Sequence, residues 1–169
     1  MRLIVLGSGS SGNVLYVESG ATSALIDLGL SAKETARRMT EAGVDPTRLS
    51  AIVITHEHSD HVKGARVFAA TAEVPVFMTQ ATRAECNFPE NGDKIPWGET
   101  IASGEPFQIG SLNFYPFTIP HDGVDTFAQF NGSNAVYQDN VQSYSTVEPA
   151  IDLTASSPLA FARQAAGIR

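Results

Sequence analysis

Three of the four histidines in this sequence lie within six residues, in the segment Thr-His-Glu-His-Ser-Asp-His at positions 55–61. The segment follows an apolar, mostly β-branched run at 51–54 that is typical of a buried strand. In an extended chain, residues two apart point the same way, so His56 and His58 can reach one ion. Neutral imidazole suits zinc well. The spacing therefore predicts a metal site rather than a loop of solvated histidines.

Further ligands lie close to this pair. Asp60 and His61 lie where the chain turns into the next helix, and they can face a second ion nearby. A carboxylate there suits zinc, manganese or iron. The fourth histidine, His121, follows an apolar stretch at 112–118, and Pro120 stiffens its approach. Because a strand end again presents the side chain, we expect His121 to be a ligand as well.

The elements that must position these residues are β and α in alternation. Ser31 is placed to begin a helix as its N-cap, with Glu34 completing a capping box and Gly43 ending the helix. A second helix is expected at 62–70. The apolar runs predict strands, and these lie at 3–6, 14–17, 24–26, 51–54 and 76–78, with short β pieces between 95 and 118. This order predicts an α/β layered domain.

The composition limits the function classes. The chain has 169 residues, 43% of them apolar and 17% charged, as expected of one folded domain. Its net charge of −7 excludes nucleic-acid binding through bulk positive charge. The single cysteine, Cys86, excludes a disulfide framework. The apolar N-terminal run is too short for a signal peptide or a membrane span, so we expect a cytoplasmic protein without a membrane partner.

A glycine-rich loop at 7–12 fits the pattern G-x-G-x-x-G after a strand. A dinucleotide site needs a helix directly after these glycines, to meet the pyrophosphate. The following residues, 14–17, have a strand pattern instead, so we do not expect nucleotide binding. The loop is a tight turn whose glycines permit positive φ, and a position beside an active site stays open.

The sequence resembles the metallo-β-lactamase superfamily, whose H-x-H-x-D-H signature is carried by His56, His58, Asp60 and His61. The similarity covers about residues 1–130, and includes blocks at 7–17, 25–31, 55–64 and 120–122. These blocks look like the small YycJ-type (WalJ-type) branch, which is regarded as nuclease-like. The resemblance implies an α/β fold of the αββα sandwich type.

The resemblance also implies roles for the site residues. His56, His58 and His121 would bind a first ion, and Asp60 and His61 part of a second. Asp60 would also orient the attacking water, and Asp27 would support the histidines, as carboxylates beside metal ligands do. The cofactor would be one or two zinc ions, with manganese or iron as alternatives.

The implied reaction is hydrolysis by a metal-activated water. Its substrate would be DNA or RNA, attacked at a phosphodiester in the manner of an exonuclease. A thioester or lactone hydrolase on the same scaffold is the alternative within enzymes, because the signature does not choose between them. A non-catalytic remnant that binds one metal is the alternative outside them.

The C-terminal part departs from the family, which completes its site with a later Asp and a final His. No histidine follows His121, and Asp139 or Asp152 is the candidate for the missing carboxylate. Residues 1–130 hold 9 of the 11 basic and 15 of the 18 acidic side chains. We therefore expect a domain at 1–130 and a divergent tail at 131–169, with a hairpin and a short helix.

This departure leads to a hypothesis of truncation, by a reading-frame change near Phe130. The sandwich would then be incomplete in its second half. A sheet face left uncovered in this way would allow the chain to self-associate.

Overall fold

The computed structural model of the chain describes residues 1–86, 88 and 95–118. The chain divides into two compact units, Met1–Pro116 and Phe117–Arg169, and the first contains every helix and strand described below. The domain boundary predicted near Phe130 lies outside the described residues, as do the hairpin and the short helix predicted in the tail. Those expectations stay predictions.

The described part of the first unit is built from a five-stranded sheet, a two-stranded sheet and four helices. The larger sheet has the order β1-β2-β3-β4-β5, antiparallel from β1 to β3 and parallel from β3 to β5. The smaller sheet pairs β6 with β7. The elements are β1 Arg2–Gly7, β2 Val14–Ser19, β3 Thr22–Ile26, α1 Ala32–Glu41, β4 Ala51–Val53, α2 Ser59–Val62, α3 Ala65–Ala72, β5 Val76–Phe77, α4 Gln80–Glu85, β6 Phe107–Ile109 and β7 Leu112–Phe114. None of these helices has the length and apolar character needed to cross a lipid bilayer.

One face of the larger sheet carries the main core. Alternate residues of a strand point to the same face, and neighbouring strands place Tyr16, Leu25 and Ile52 side by side in register. These side chains are buried against Met39 of α1 and Phe68 of α3. The α/β layering predicted from the apolar runs is confirmed, because β2, β3 and β4 all turn alternate residues toward these helices.

The opposite face of the sheet packs against the smaller sheet. Ala24, Ala51 and Val53 point to this side and are buried with Ile109 of β6 and Leu112 of β7. The middle of the second face is therefore covered within the described residues. Self-association through an exposed sheet face stays a prediction.

Helix α1 begins as predicted, but its capping box is incomplete. The side chain of Ser31 accepts a hydrogen bond from the backbone N–H of Glu34. The Glu34 carboxylate binds Arg37 and Arg38 instead of returning to the N-cap. These two guanidinium groups lower the pKa of Glu34 to about 2. The second predicted helix is divided in two, with Gly64 between α2 and α3.

Three segments meet near the end of β4: the end of the glycine-rich loop, the residues after β3 and the start of α2. We call this meeting point the loop junction. It consists of backbone contacts from Leu28 N–H to the His61 carbonyl (2.7 Å), from Asn13 N–H to the Asp60 carbonyl (2.7 Å) and from Gly29 N–H to the Asn13 carbonyl (3.0 Å). A Cβ atom on Gly29 would lie 1.5 Å from the Asp60 carbonyl oxygen. Only glycine allows the backbones to approach this closely.

We predict that Gly29→Ala destabilises the chain by at least about 3 kcal/mol, because the methyl group must displace backbone atoms of Asp60 rather than a flexible side chain. Chemical unfolding in urea measures the loss. Gly104→Ala is the matched control, since Gly104 has a positive φ but open space around its Cβ position. The control should cost only about 1 kcal/mol. Equal losses in the two variants would contradict the close approach.

Candidate metal centre

The histidine segment lies at the carboxyl end of β4 and runs into α2. Within it, the rings of His56 and His58 have centroids 4.8 Å apart, and those of His56 and His61 have centroids 3.9 Å apart. All three side chains are partly buried. The structure therefore brings together the three histidines that the spacing singled out.

Asp60 and His61 form a pair on the first turn of α2. The Asp60 Oδ2 atom lies 3.4 Å from His61 Nε2, and both side chains are only 16% exposed. Both residues lie on a helical turn rather than in an extended segment. The sequence predicted this position, where the chain turns from the strand into the next helix. Two ligand atoms of the types that zinc binds therefore lie close together.

Asp27 lies buried between the histidine segment and the end of β3. Its carboxylate accepts hydrogen bonds from Thr55 N–H (2.8 Å) and Thr55 Oγ1 (2.9 Å), and its Oδ2 lies 2.8 Å from His61 Nδ1. An ionised carboxylate only accepts hydrogen bonds, so Nδ1 of His61 is the donor in this contact, and in the neutral imidazole the other nitrogen, Nε2, is then the acceptor. Thr55 Oγ1 also lies 3.0 Å from His56 Nδ1. One carboxylate thus contacts His61 directly and reaches His56 through a hydroxyl.

The backbone of Asp27 has a φ of 58°, in the left-handed region. Aspartate adopts this conformation more readily than most residues because its short side chain can hydrogen-bond locally. Backbone strain of this kind persists where surrounding contacts hold it in place, and it is frequent at functional sites. Here, the contacts to Thr55 and His61 hold it.

The glycine-rich loop borders the site. It is followed by the antiparallel strand β2 and not by a helix, as the sequence predicted. Asn13, at its end, is 6% exposed and places its Nδ2 atom 2.9 Å from Asp60 Oδ2 and 3.1 Å from His61 Nε2. No sequence pattern singled out Asn13. The sequence feature that came nearest to it was the glycine-rich loop, for which a position beside an active site had been left open.

The donor types present fit a zinc ion, because imidazole nitrogen and carboxylate oxygen are both ligands that zinc accepts. Within residues 1–86, 88 and 95–118, no three His, Cys, Asp or Glu side chains are grouped so that they could hold an ion by themselves. His121, Asp139 and Asp152 lie outside these ranges. The assignment of metal ligands therefore stays a prediction.

Comparison with known proteins decides the family. The sequence model of the metallo-β-lactamase superfamily matches residues 7–132. The chain belongs to the metallo-β-lactamase superfamily. This membership confirms the resemblance that the H-x-H-x-D-H signature predicted, and with it the fold class.

Two similar relatives of this superfamily member are bacterial nucleases. The exodeoxyribonuclease YycJ of Bacillus anthracis is 33% identical over 140 residues, which are 79% of this chain and 51% of that protein. The exodeoxyribonuclease WalJ of Streptococcus pneumoniae is 32% identical over 122 residues, which are 71% of this chain and 45% of that protein. The chain thus spans about half the length of these relatives.

A solved structure supports the fold of this superfamily member. The subclass B3 metallo-β-lactamase BJP-1 of Bradyrhizobium japonicum superposes with a TM-score of 0.53 and 15% sequence identity. The superposition covers 64% of this chain and 46% of that one.

We predict that Asp27→Asn destabilises the chain by about 2 kcal/mol, because hydrogen bonds to a charged, buried acceptor are replaced by weaker ones to an amide. Urea unfolding of the metal-free chain measures the change. Asp45→Asn serves as control, since Asp45 is exposed and caps a single turn, a position at which asparagine is equally favourable. A loss for Asp27→Asn no larger than that for Asp45→Asn would show that Asp27 does not hold the site.

The thiol of Cys86 is predicted to be unreactive. Burial raises its pKa to about 11, and the charge of Glu57 adds to the shift. Because the thiolate is the nucleophile, alkylation at pH 8 should be on the order of 100-fold slower in the folded chain than in urea, where the thiol has its usual pKa. The measurement is the rate of labelling by iodoacetamide. Equal rates in both states would contradict the shift, and Glu57→Gln should increase the rate in the folded chain.

Proposed function

We propose that this chain is a metal-dependent hydrolase that cleaves phosphodiester bonds in nucleic acid, with DNA as its substrate, in the manner of an exonuclease. The observation that carries the proposal is the grouping of His56, His58, Asp60 and His61 at the carboxyl end of β4 in a member of the metallo-β-lactamase superfamily.

The proposed ligands divide into two sets. His56, His58 and His121 would hold a first ion, and Asp60 and His61 would contribute to a second. Asp139 is the proposed carboxylate that completes the second set, with Asp152 as the alternative. Zinc fits these donors, and manganese or iron can replace it. A bound ion would lower the pKa of a water molecule enough to supply hydroxide near neutral pH.

The residues around the site have supporting tasks in this proposal. Asp27 holds His61 through Nδ1, so that Nε2, which lies 3.4 Å from Asp60 Oδ2, is the ring nitrogen placed to bind an ion. Thr55 links the same carboxylate to His56. Asp60 can orient the attacking water by accepting one of its hydrogens. These groups are held by contacts within the fold, so they need little rearrangement when a substrate arrives.

The choice of nucleic acid is supported by the two relatives, which are both exodeoxyribonucleases. The net charge of −7 means that a DNA strand would be bound by local contacts near the site rather than by a broadly basic surface. An acyl substrate, such as a thioester or a lactone, requires the same activated water. The substrate class therefore has to be tested directly.

The test is hydrolysis by the purified chain with added Zn²⁺ or Mn²⁺. Single- and double-stranded DNA labelled at one end are the main substrates, and a thioester reporter is assayed in parallel. We predict progressive shortening of the DNA. Asp60→Asn should reduce the rate by at least about 100-fold, because it replaces the charged carboxylate, proposed both to bind an ion and to accept a hydrogen from the water, by a neutral amide. Glu105→Gln, which removes an exposed carboxylate in another loop, should leave the rate unchanged.

The other outcomes discriminate between the alternatives. Turnover of the thioester without shortening of DNA would replace the nuclease proposal by an acyl hydrolase. Bound metal without turnover of either substrate would identify a non-catalytic remnant. Equal DNA hydrolysis by the wild type and Asp60→Asn would remove Asp60 from the reaction.

A further inference from the structure

We propose that Asn13 is a positioning residue, whose side-chain amide holds the Asp60 carboxylate and the His61 imidazole with their acceptor atoms directed to one point. The inference rests on the proposed function, because it concerns two of the ligands proposed there. It adds to that function a residue from the glycine-rich loop, to which the H-x-H-x-D-H signature assigns no role.

The orientation of the Asn13 amide is determined by its surroundings. Its Oδ1 atom accepts a hydrogen bond from the backbone N–H of Gly9 at 2.9 Å. A backbone N–H can only donate, so Oδ1 must face Gly9 and the NH₂ group must face the other way. On that other side lie Asp60 Oδ2 at 2.9 Å and His61 Nε2 at 3.1 Å.

Both partners of this NH₂ group are acceptors. Asp60 Oδ2 belongs to a carboxylate, and His61 Nε2 is the acceptor of the neutral imidazole whose hydrogen is on Nδ1, the nitrogen that faces the Asp27 carboxylate. The two acceptor atoms are 3.4 Å apart, and two lone pairs at that separation repel one another unless a donor or a cation lies between them. The two hydrogens of Asn13 Nδ2 satisfy both acceptors and set their direction. A divalent cation bound to Nε2 would replace the Asn13 hydrogen bond there, because that nitrogen has one lone pair, whereas the Asp60 carboxylate has enough lone pairs to keep its bond to Asn13 and bind the ion as well.

Asn13 is itself fixed by the loop junction. Its backbone N–H donates to the Asp60 carbonyl at 2.7 Å, and its carbonyl accepts from Gly29 N–H at 3.0 Å. The side chain is 6% exposed, so its conformation is ordered by folding. A group that is already ordered loses little further entropy when it holds its neighbours. Asn13 therefore connects the backbone of the junction to the side chains of the site.

The first arm of the test uses nuclear magnetic resonance on the metal-free chain. We compare Asn13→Ala with Ser11→Ala, an exposed position in the same loop. In Asn13→Ala, the Asp60 Cγ and His61 ring-nitrogen resonances should move, while those of His58 stay in place. Asn13→Asp, which keeps the size but replaces the donor by an acceptor, is the second variant should the alanine chain fail to fold. Unchanged Asp60 and His61 resonances in the folded variant would overturn the proposal.

The second arm measures metal affinity by titration with Co²⁺, followed by its visible absorption. The ion proposed at Asp60 and His61 should be held about 10–100-fold less tightly in Asn13→Ala, the usual cost of losing a residue that orients ligands. The ion proposed at His56 and His58 should be unaffected, and Ser11→Ala should match the wild type. In an Asp60→Ala background, Asn13→Ala should have a much smaller effect on affinity than in the wild type, because one of the two groups that it positions is gone. Independent, additive losses would indicate a merely structural residue and overturn the proposal.

The two arms separate this inference from the proposed function. Shifted Asp60 and His61 resonances together with a wild type that binds no ion would retain the positioning role and reject the hydrolase. Conversely, DNA hydrolysis with unshifted resonances in Asn13→Ala would reject the positioning role alone.

Discussion

The close approach of Gly29 to the carbonyl of Asp60 is the constraint on which the rest of the site depends. This contact leaves no room for a side chain. It allows the chain after β3 and the end of the glycine-rich loop to bond to the start of α2 through backbone groups alone. Backbone bonds of this kind do not depend on the rotamers of long side chains, so they give a rigid base for the polar groups above them. The loop junction thus brings Asp27 and Asn13 to the histidine segment.

The polar groups above this base form one continuous network. Asp27 contacts His61 and Thr55, Asn13 contacts Asp60 and His61, and Thr55 leads on to His56. Buried carboxylates and amides are costly unless they are satisfied, and here each has partners from a different loop. Satisfying Asp27 and Asn13 therefore requires the three loops to be in place together. The network couples the stability of this end of the sheet to the arrangement of the candidate ligands.

Much of this could be predicted from the sequence, because the signals were local. Runs of apolar residues predicted the strands, and the i, i+2 spacing of His56 and His58 on leaving β4 predicted that they lie together. The role of Asn13 could not be predicted, because its partner Asp60 lies 47 residues away and no periodic pattern links them. The contacts of Glu34 could not be predicted either, although its partners are close in sequence. The capping pattern assigned its carboxylate to the N-cap, but Arg37 and Arg38 bind it instead.

The histidine segment is proposed to bind a metal ion, and the metal content of the purified chain tests this most directly. After exposure to Zn²⁺ and dialysis, mass spectrometry of the metal should find about one tightly held ion per chain. The double variant His56→Ala, His58→Ala should lose that ion, while a chain carrying Glu105→Gln should retain it. A wild type that retains no zinc, or a double variant that retains as much as the wild type, would contradict the account.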